Sequence, residues 1–442
     1  MASLLGMAAC AGPGSEPASP VPATPQPPLA SQPPGRTIGV LLPLTGSNAR
    51  LGQEMLQAIQ LALGSPGAPP LDARDTAAPG GATAAARAAV GAGDGVILGP
   101  LTAHDTAQAS EIAMAASVPV LAYTSDLSLG RPGVWALGIA PEQQVARLVI
   151  AAQAEGRQHF AAFLPDNALG RAMGSALTRE CAARNLPEPN IIYHTSSQVS
   201  ILQGLKTLSD YDSRLTAAQA VKSIPQPDAS ASDIPTPSGV PSVPTQPSAA
   251  PASPQLAPPP FDVLLLADTG LQLAMVIDAL QTVQVINGTQ KISDNVSPVQ
   301  PAVPADGVVP VRILGTGLWG AFASKLGRLH GAWYAAPDPQ ARQRFIQVFM
   351  ARYHRLPTPL SDLSYDSAAL VGALDRGRPR SRPNGYIIDA LARPDGFAGV
   401  DGVFGLTLDG HTLRDLAVFQ IQSGGGGKII LPALGHLVHT QS

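Results

Sequence analysis

The chain has 442 residues, enough for two domains of ordinary size, with 45% hydrophobic, 4% aromatic and 13% charged residues. A formal net charge of −3 argues against the concentrated basic face of a nucleic-acid binder, and no apolar run reaches the length of about eighteen residues needed to span a membrane as a helix. Two cysteines, Cys10 and Cys181, cannot make a disulfide framework, and no C-x-x-C or His-rich spacing suggests a metal.

The chain opens with MASLLGMAAC, a short stretch of small and apolar residues ending at Cys10, and a Pro/Ser/Ala run continues to Gly35. That run cannot build a core, so residues 1–35 read as a tether. At about 3.1 Å per residue, Cys10 to Gly35 would span up to roughly 80 Å. Met7-Ala8-Ala9-Cys10 loosely fits the box that ends a bacterial lipoprotein signal, although the basic start is missing and the apolar segment is short. The alternative is a disordered tail with an incidental cysteine. A lipid on Cys10 would leave Cys181 as the only thiol, a small buried residue.

Ile38 to Leu42 is a nearly all-apolar run of strand length, as expected of a strand buried on both faces. The helical spacing of Leu51, Met55, Ala58, Ile59 and Ala62 follows, with Ser47 or Asn48 placed to cap it. The alternation then repeats. GVILGP, VPVLAYTSD, GVWALGI, HFAAFLPDN, PNIIYHTS, FDVLLLAD and VRILGTG read as strands, most followed by ten to sixteen residues of helical pattern. Such alternation predicts βαβ units and parallel sheets, and this many units suit two doubly wound lobes better than one very wide sheet. Residues 224–260 break the rhythm as a Pro-rich, disordered insertion in a surface loop, and NGTQKISDNVSPVQPAVPADG is a second irregular stretch.

Gly315, Gly317 and Gly320 in VRILGTGLWGAF spell G-x-G-x-x-G, with Asp338 downstream, which read alone is a dinucleotide fingerprint. In such a site, however, the glycine loop follows the first strand of the fold, whereas here it comes late. Leu318 and Trp319 crowd the middle glycine, and Asp338 sits between two prolines. The glycines are better read as a tight strand-to-helix turn presenting Trp319 at a cleft. There is no P-loop, H-E-x-x-H or G-x-S-x-G motif, and no carboxylate pair stands out for acid/base work. His104-Asp105 reads as a solvated or capping pair. The chain is therefore expected not to be an enzyme and to need no cofactor or metal.

Small polar residues cluster just past the apolar strands, at Thr45 to Asn48, at Thr102 and at Tyr123 to Asp126. In an open α/β sheet the ligand crevice lies outside the carboxyl ends of the strands, where helix N-termini offer free N–H groups. For any one of these residues a cap or turn is the better reading, but the clusters together point to a cleft.

With its IGVLLPLTGSNARLGQEMLQAIQLAL, GVILGPLTAHDTAQASEIAMAASVPVLAYTSD, FLPDNALGRAM, FDVLLLADTGLQLAMVIDAL and YDSAALVGAL, the chain resembles the type I periplasmic binding proteins, specifically the leucine/isoleucine/valine-binding group, over about Arg36 to Leu391. The resemblance implies an α/β fold of two Rossmann-like lobes of doubly wound parallel sheet, joined by three crossovers and closing by hinge motion. It places residues 36–139 in lobe 1, completed by about 339–392, and residues 140–338 in lobe 2, completed by about 393–442. By position it implies ligand contacts at Ala103, His104 and Asp105, at Tyr123, Thr124 and Ser125, and at Asp268, Thr269 and Trp319. Amino-acid binders carry a carboxylate in the last of these loops. This chain has Gly317, Leu318 and Trp319 there, and losing a desolvated charge partner costs several kcal/mol.

ILGTGLW, GAWYAAPDPQARQRFIQVF and DGFAGVDGVFGLTLDGHTLRDLAVFQI resemble one branch in particular, the penicillin-binding protein activators, which are bacterial lipoproteins. The large helical N-terminal domain of the best-known activators has no counterpart here. This resemblance implies a periplasmic protein lipid-anchored at Cys10 in the outer membrane that contacts a peptidoglycan synthase. The broader resemblance implies instead a solute-binding partner of an ABC transporter permease, holding an amino acid or another small polar ligand between the lobes.

Overall fold

The computed structural model describes residues 34–222, 256–286, 310–377, 385–393 and 395–437. Cys10, nearly all of the tether and most of the Pro-rich insertion lie outside the described residues.

The first lobe starts with β1 (Ile38–Leu42), α1 (Ala49–Ala62), β2 (Leu71–Asp75), α2 (Gly81–Gly91), β3 (Val96–Leu98), α3 (Ala103–Ala115), β4 (Val120–Ala122) and β5 (Val134–Ala136). Its sheet is parallel throughout, in the order β2-β1-β3-β4-β5. Side-chain alternation along β1 sends Ile38, Val40 and Leu42 into one core layer with Met55 and Ile59 of α1. Leu41 goes to the other layer, among the alanines of α2 and α3. Both faces are covered, which is why β1 reads as an unbroken apolar run. β2 does not read that way: LDARD is a half-buried edge strand carrying an Asp72–Arg74 ion pair, so no apolar signal marks it. Asn48 stands at the N-cap of α1, but its side chain makes no capping bond.

After a first crossing the second lobe begins. It contains α4 (Pro141–Ala154), β6 (Phe160–Pro165), α5 (Ala168–Ala183), β7 (Asn190–His194), α6 (Gln198–Leu208), α7 (Tyr211–Lys222), β8 (Val263–Leu266), α8 (Gly270–Thr282), β9 (Arg312–Gly315) and β10 (Trp333–Ala336). A second crossing leads to α9 (Pro339–Tyr353), α10 (Pro359–Arg376) and α11 (Ile388–Leu391), then to a small antiparallel sheet of β11 (Phe397–Gly399), β12 (Gly402–Leu406) and β13 (Thr412–Arg414). A third crossing returns to β14 (Ala417–Ile421) and β15 (Gly427–Leu431), which finish the second sheet in the order β15-β14-β10-β9-β8-β6-β7.

Two details depart from expectation. The second sheet is mixed, because β14 pairs antiparallel with β10 and β15 antiparallel with β14. The expected completion of lobe 2 from residue 393 also shifts: Phe404 and Leu406 pack with Leu121, Trp135 and Leu363 of the first lobe, so the return comes only after Arg414.

The crossings position everything that follows. β5 ends at Ala136 and leads into α4 of the second lobe, while β10 ends at Ala336 and leads into α9, whose Phe345 and Phe349 pack on Ala58 of α1. Each sheet therefore turns the carboxyl ends of its parallel strands toward the other lobe. The crossings are tied together by Arg414 Nη2 donating to Leu137 O (2.8 Å), Arg147 Nε donating to Leu416 O (2.7 Å) and Gln143 Nε2 donating to Thr412 O.

On the far side of lobe 1, Asp94 is buried with neither side-chain oxygen hydrogen-bonded among the described residues, and a Cβ at Gly39 would come within 2.7 Å of its Oδ2. Burial, reinforced by Asp72, pushes its carboxyl up to about 7. The native state therefore holds this proton more tightly than the unfolded chain. Its stabilisation is complete below about pH 4 and is lost as pH rises through about 7. Asp94→Asn should raise Tm at about pH 8 by roughly 3 °C, the shift expected of about 1 kcal/mol, and give no gain at about pH 4. Melting curves across pH check this.

Candidate functional site: the cleft between the lobes

On the first lobe, the predicted contacts come from the carboxyl ends of the neighbouring strands β3 and β4. Ala103, His104 and Asp105 form the first turn of α3, which Thr102 caps by accepting the Asp105 N–H (3.1 Å). His104 is exposed, with Nε2 3.1 Å from Gln108 Nε2. Tyr123 is buried, and its hydroxyl lies 3.0 Å from Ser367 Oγ on α10, inside the lobe rather than in the cleft. Thr124 Oγ1 accepts the Asp126 N–H (3.0 Å), and Ser125 is exposed.

On the second lobe, Asp268 and Thr269 follow β8, and Trp319 follows β9 beside it. Asp268 is almost fully buried, with Oδ2 3.3 Å from His194 Nε2. His194 stacks on Phe163 at 4.3 Å, and its Nδ1 lies 3.0 Å from Thr195 O. Burial would lower the imidazole's affinity for a proton, but the Asp268 and Thr195 oxygens more than offset it, so the net shift is upward. Thr269 is exposed at the start of α8.

Trp319 corrects the expectation placed on it. It is fully buried, and its Nε1 donates to Asp268 O (3.0 Å). The glycine pattern now has its own explanation. A Cβ at Gly315 would run into the Trp319 ring, and Gly317 N donates to Gln144 Oε1 (2.7 Å) from α4. The indole occupies the space over the strand end, and the loop's free N–H is already used. Asp338 caps α9 through the Gln340 N–H (2.9 Å), at the second crossing. None of these groups is left for a pyrophosphate or a ribose.

Sequence reasoning missed His194, Gln144 and three exposed apolar side chains. Val199 opens α6 (79% exposed), Leu271 opens α8 (78% exposed), and Leu318 follows β9 (54% exposed). All lie at the carboxyl ends of parallel strands of the second sheet, whereas the facing edge of lobe 1 exposes Thr45, Ser47, Asn48 and Ser125. His194 carried a signal, a histidine just past the apolar run of PNIIYHTS. The partner of Gln144 lies 173 residues away, and no local pattern marks it.

If Trp319 is a core plug, Trp319→Ala should cost about 3–5 kcal/mol of stability by leaving a cavity, readable by denaturant unfolding. Thr124→Ala should cost about 1 kcal/mol through the lost turn hydrogen bond.

Residues 36–203 match the family model described as periplasmic binding protein. A search of curated proteins finds no match. Among solved structures, the chain is similar to a putative branched-chain amino acid ABC transporter protein from Rhodospirillum rubrum, with 15% identity and a TM-score of 0.60 over 90% of this chain and 100% of that one. It is also similar to an ABC transporter substrate-binding protein from Desulfitobacterium hafniense, with 16% identity and a TM-score of 0.58 over 89% and 99%. A third is the C-domain of LpoA from Haemophilus influenzae, a regulator of PBP1A, with 15% identity and a TM-score of 0.54 over 89% and 100%. At these identities the likeness speaks to the fold. Facing sheet edges, three crossings and the match over residues 36–203 together identify the architecture as that of the type I periplasmic binding proteins.

Proposed function

We propose that this chain is a non-catalytic periplasmic lipoprotein that stimulates a peptidoglycan synthase by protein contact. The carrying observation is that four of the groups expected at the cleft are already engaged within the fold, while Ser125 and Thr269 stay exposed. Tyr123 meets Ser367, Asp268 meets His194, the Gly317 N–H meets Gln144, and Trp319 is inside the core. No carboxylate occupies Gly317, Leu318 or Trp319, so an ammonium group would be desolvated there without a counter-charge. Val199, Leu271 and Leu318, each exposed at a strand end of the second lobe, suit contact with a protein better than with a small polar solute. The likeness to the C-domain of a PBP1A regulator supports the same reading. Cys10 as lipid site and the Pro-rich run behind it would hold the lobes at the outer membrane and let them reach a partner.

A second reading is a solute-binding component of an ABC importer. It is favoured by the likeness to transporter binding proteins and by the buried Asp268 Oδ1, which has no hydrogen-bond partner.

Adding the purified protein to a bifunctional peptidoglycan synthase should raise glycan polymerisation or cross-linking more than twofold, and an unchanged rate would remove the activator reading. A thermal-shift screen against amino acids, short peptides and sugars should be flat. A saturable rise in Tm would select the importer reading, because only native-state binding stabilises the fold. Cys10→Ser should move the protein from the membrane to the soluble fraction, and unchanged fractionation would sink the lipid anchor.

A further inference from the structure

Where the second and third crossings enter the first lobe, charged side chains are buried in an unbroken chain. Arg342 of α9 donates through Nε to Asp362 of α10 and through Nη2 to Pro357 O (2.8 Å). Asp362, fully buried, faces Asp401 in the turn between β11 and β12. One helical turn on, Asp366 accepts the Val400 N–H (2.7 Å) and, at 3.4 Å, the Asp401 N–H. Arg414 of β13 lies near Asp366 and Asp401 and stacks over Phe404 at 5.5 Å, while its Nη2 holds Leu137 O in the first crossing. Ser361, beside Asp362 in the chain, donates to Glu54 of α1 (2.6 Å), which pairs with Arg355, and the buried Asp415 that follows Arg414 accepts the Leu434 N–H (2.9 Å) and the Gly435 N–H (2.6 Å).

The charges do not balance. Three carboxyls face two guanidiniums, so full ionisation would bury a net negative charge. Among the described residues Asp362 Oδ1 has no donor, and a protonated Asp362 can donate to Asp401. Arg414 Nε and Nη1 are likewise buried without acceptors, so this guanidinium is held by one carbonyl and by the field of the nearby carboxylates. Burial, followed by the neighbouring Asp401 charge, pushes Asp362 up to about 9, and burial pushes Asp366 up to about 7.

We propose that a proton shared between Asp362 and Asp401 latches the hinge, and that its loss draws Arg414 toward the carboxylates and off Leu137, removing one of the three side-chain ties between the crossings and leaving those of Arg147 and Gln143. With the proton in place, Asp401 is partly neutralised by its neighbour and Arg414 stays on the carbonyl. Without it, both carboxyls are ionised while Arg342 is already bonded to Asp362, and Arg414, beside Asp401, is the guanidinium with nitrogens that have no acceptor among the described residues. The lobes then rotate over a wider range, because one of the three ties between the crossings, the one through the Leu137 carbonyl, is gone while those at Leu416 and Thr412 remain.

The test is an inter-lobe distance distribution from spin labels on Ser125→Cys and Val199→Cys, both at exposed positions. It uses the full chain with Cys10→Ser and is measured across pH. The distribution should broaden with a midpoint between about 7 and about 9. Asp362→Asn should abolish the broadening while keeping the distribution seen at neutral pH. A pH-independent wild-type distribution, or the same midpoint in Asp362→Asn, overturns the latch. Should Asp362→Asn fail to fold, infrared titration of the wild type decides. The carbonyl stretch of a protonated aspartic acid must disappear with the same midpoint as the distance change, and its absence at neutral pH or a different midpoint overturns the proposal.

Discussion

The structure depends on where its chain changes lobes. Both β5 and β10 hand the chain across from their carboxyl ends, so the edges of both sheets that carry helix N-termini and strand-end loops face one another. Parallel strands leave this edge rich in unpaired N–H groups. Any function in the cleft is therefore a question of what satisfies those groups.

In this protein much of the answer is internal. Gln144 lends a side-chain oxygen to the Gly317 N–H, and Thr102, Asn167 and Ser197 cap α3, α5 and α6. Trp319 takes the space above Gly315 that a phosphate loop would keep open. Buried donors and acceptors cost more unmade than they yield when made, so filling them from the fold's own side chains stabilises the rim. That rim is unlike on its two sides: polar on lobe 1, and marked by Val199, Leu271 and Leu318 on lobe 2.

Buried charge is concentrated away from the rim. Asp94 lies behind β1, and Asp362, Asp366 and Asp401 lie where the chain re-enters the first lobe. Desolvation holds protons on such carboxyls well above the ordinary range, so native stability is coupled to pH at these positions. Three of these four carboxyls lie on α10 and the β11–β12 turn, in the part of the first lobe between the second and third crossings.

The amino-acid sequence by itself determined the layered α/β plan. Strands such as Ile38–Leu42 and Val263–Leu266 are apolar on both faces, helices alternate with them, and small polar residues follow their ends; each is a local pattern that burial imposes. It also placed Ala103 to Asp105, Tyr123 to Ser125, and Asp268 with Thr269 at strand ends. Only the tertiary structure decided what those residues do. Tyr123 turns inward to Ser367, 244 positions away, and Gln144 reaches Gly317, 173 positions away, so neither role leaves a mark in local sequence. The edge strand β2 escaped notice because half-buried residues need not be apolar, and Trp319 was expected at the cleft because an indole after a glycine turn looks the same in sequence whether it faces solvent or the core. Local patterns report burial and turn geometry, whereas a side chain's partner is chosen by whatever the rest of the fold brings within reach.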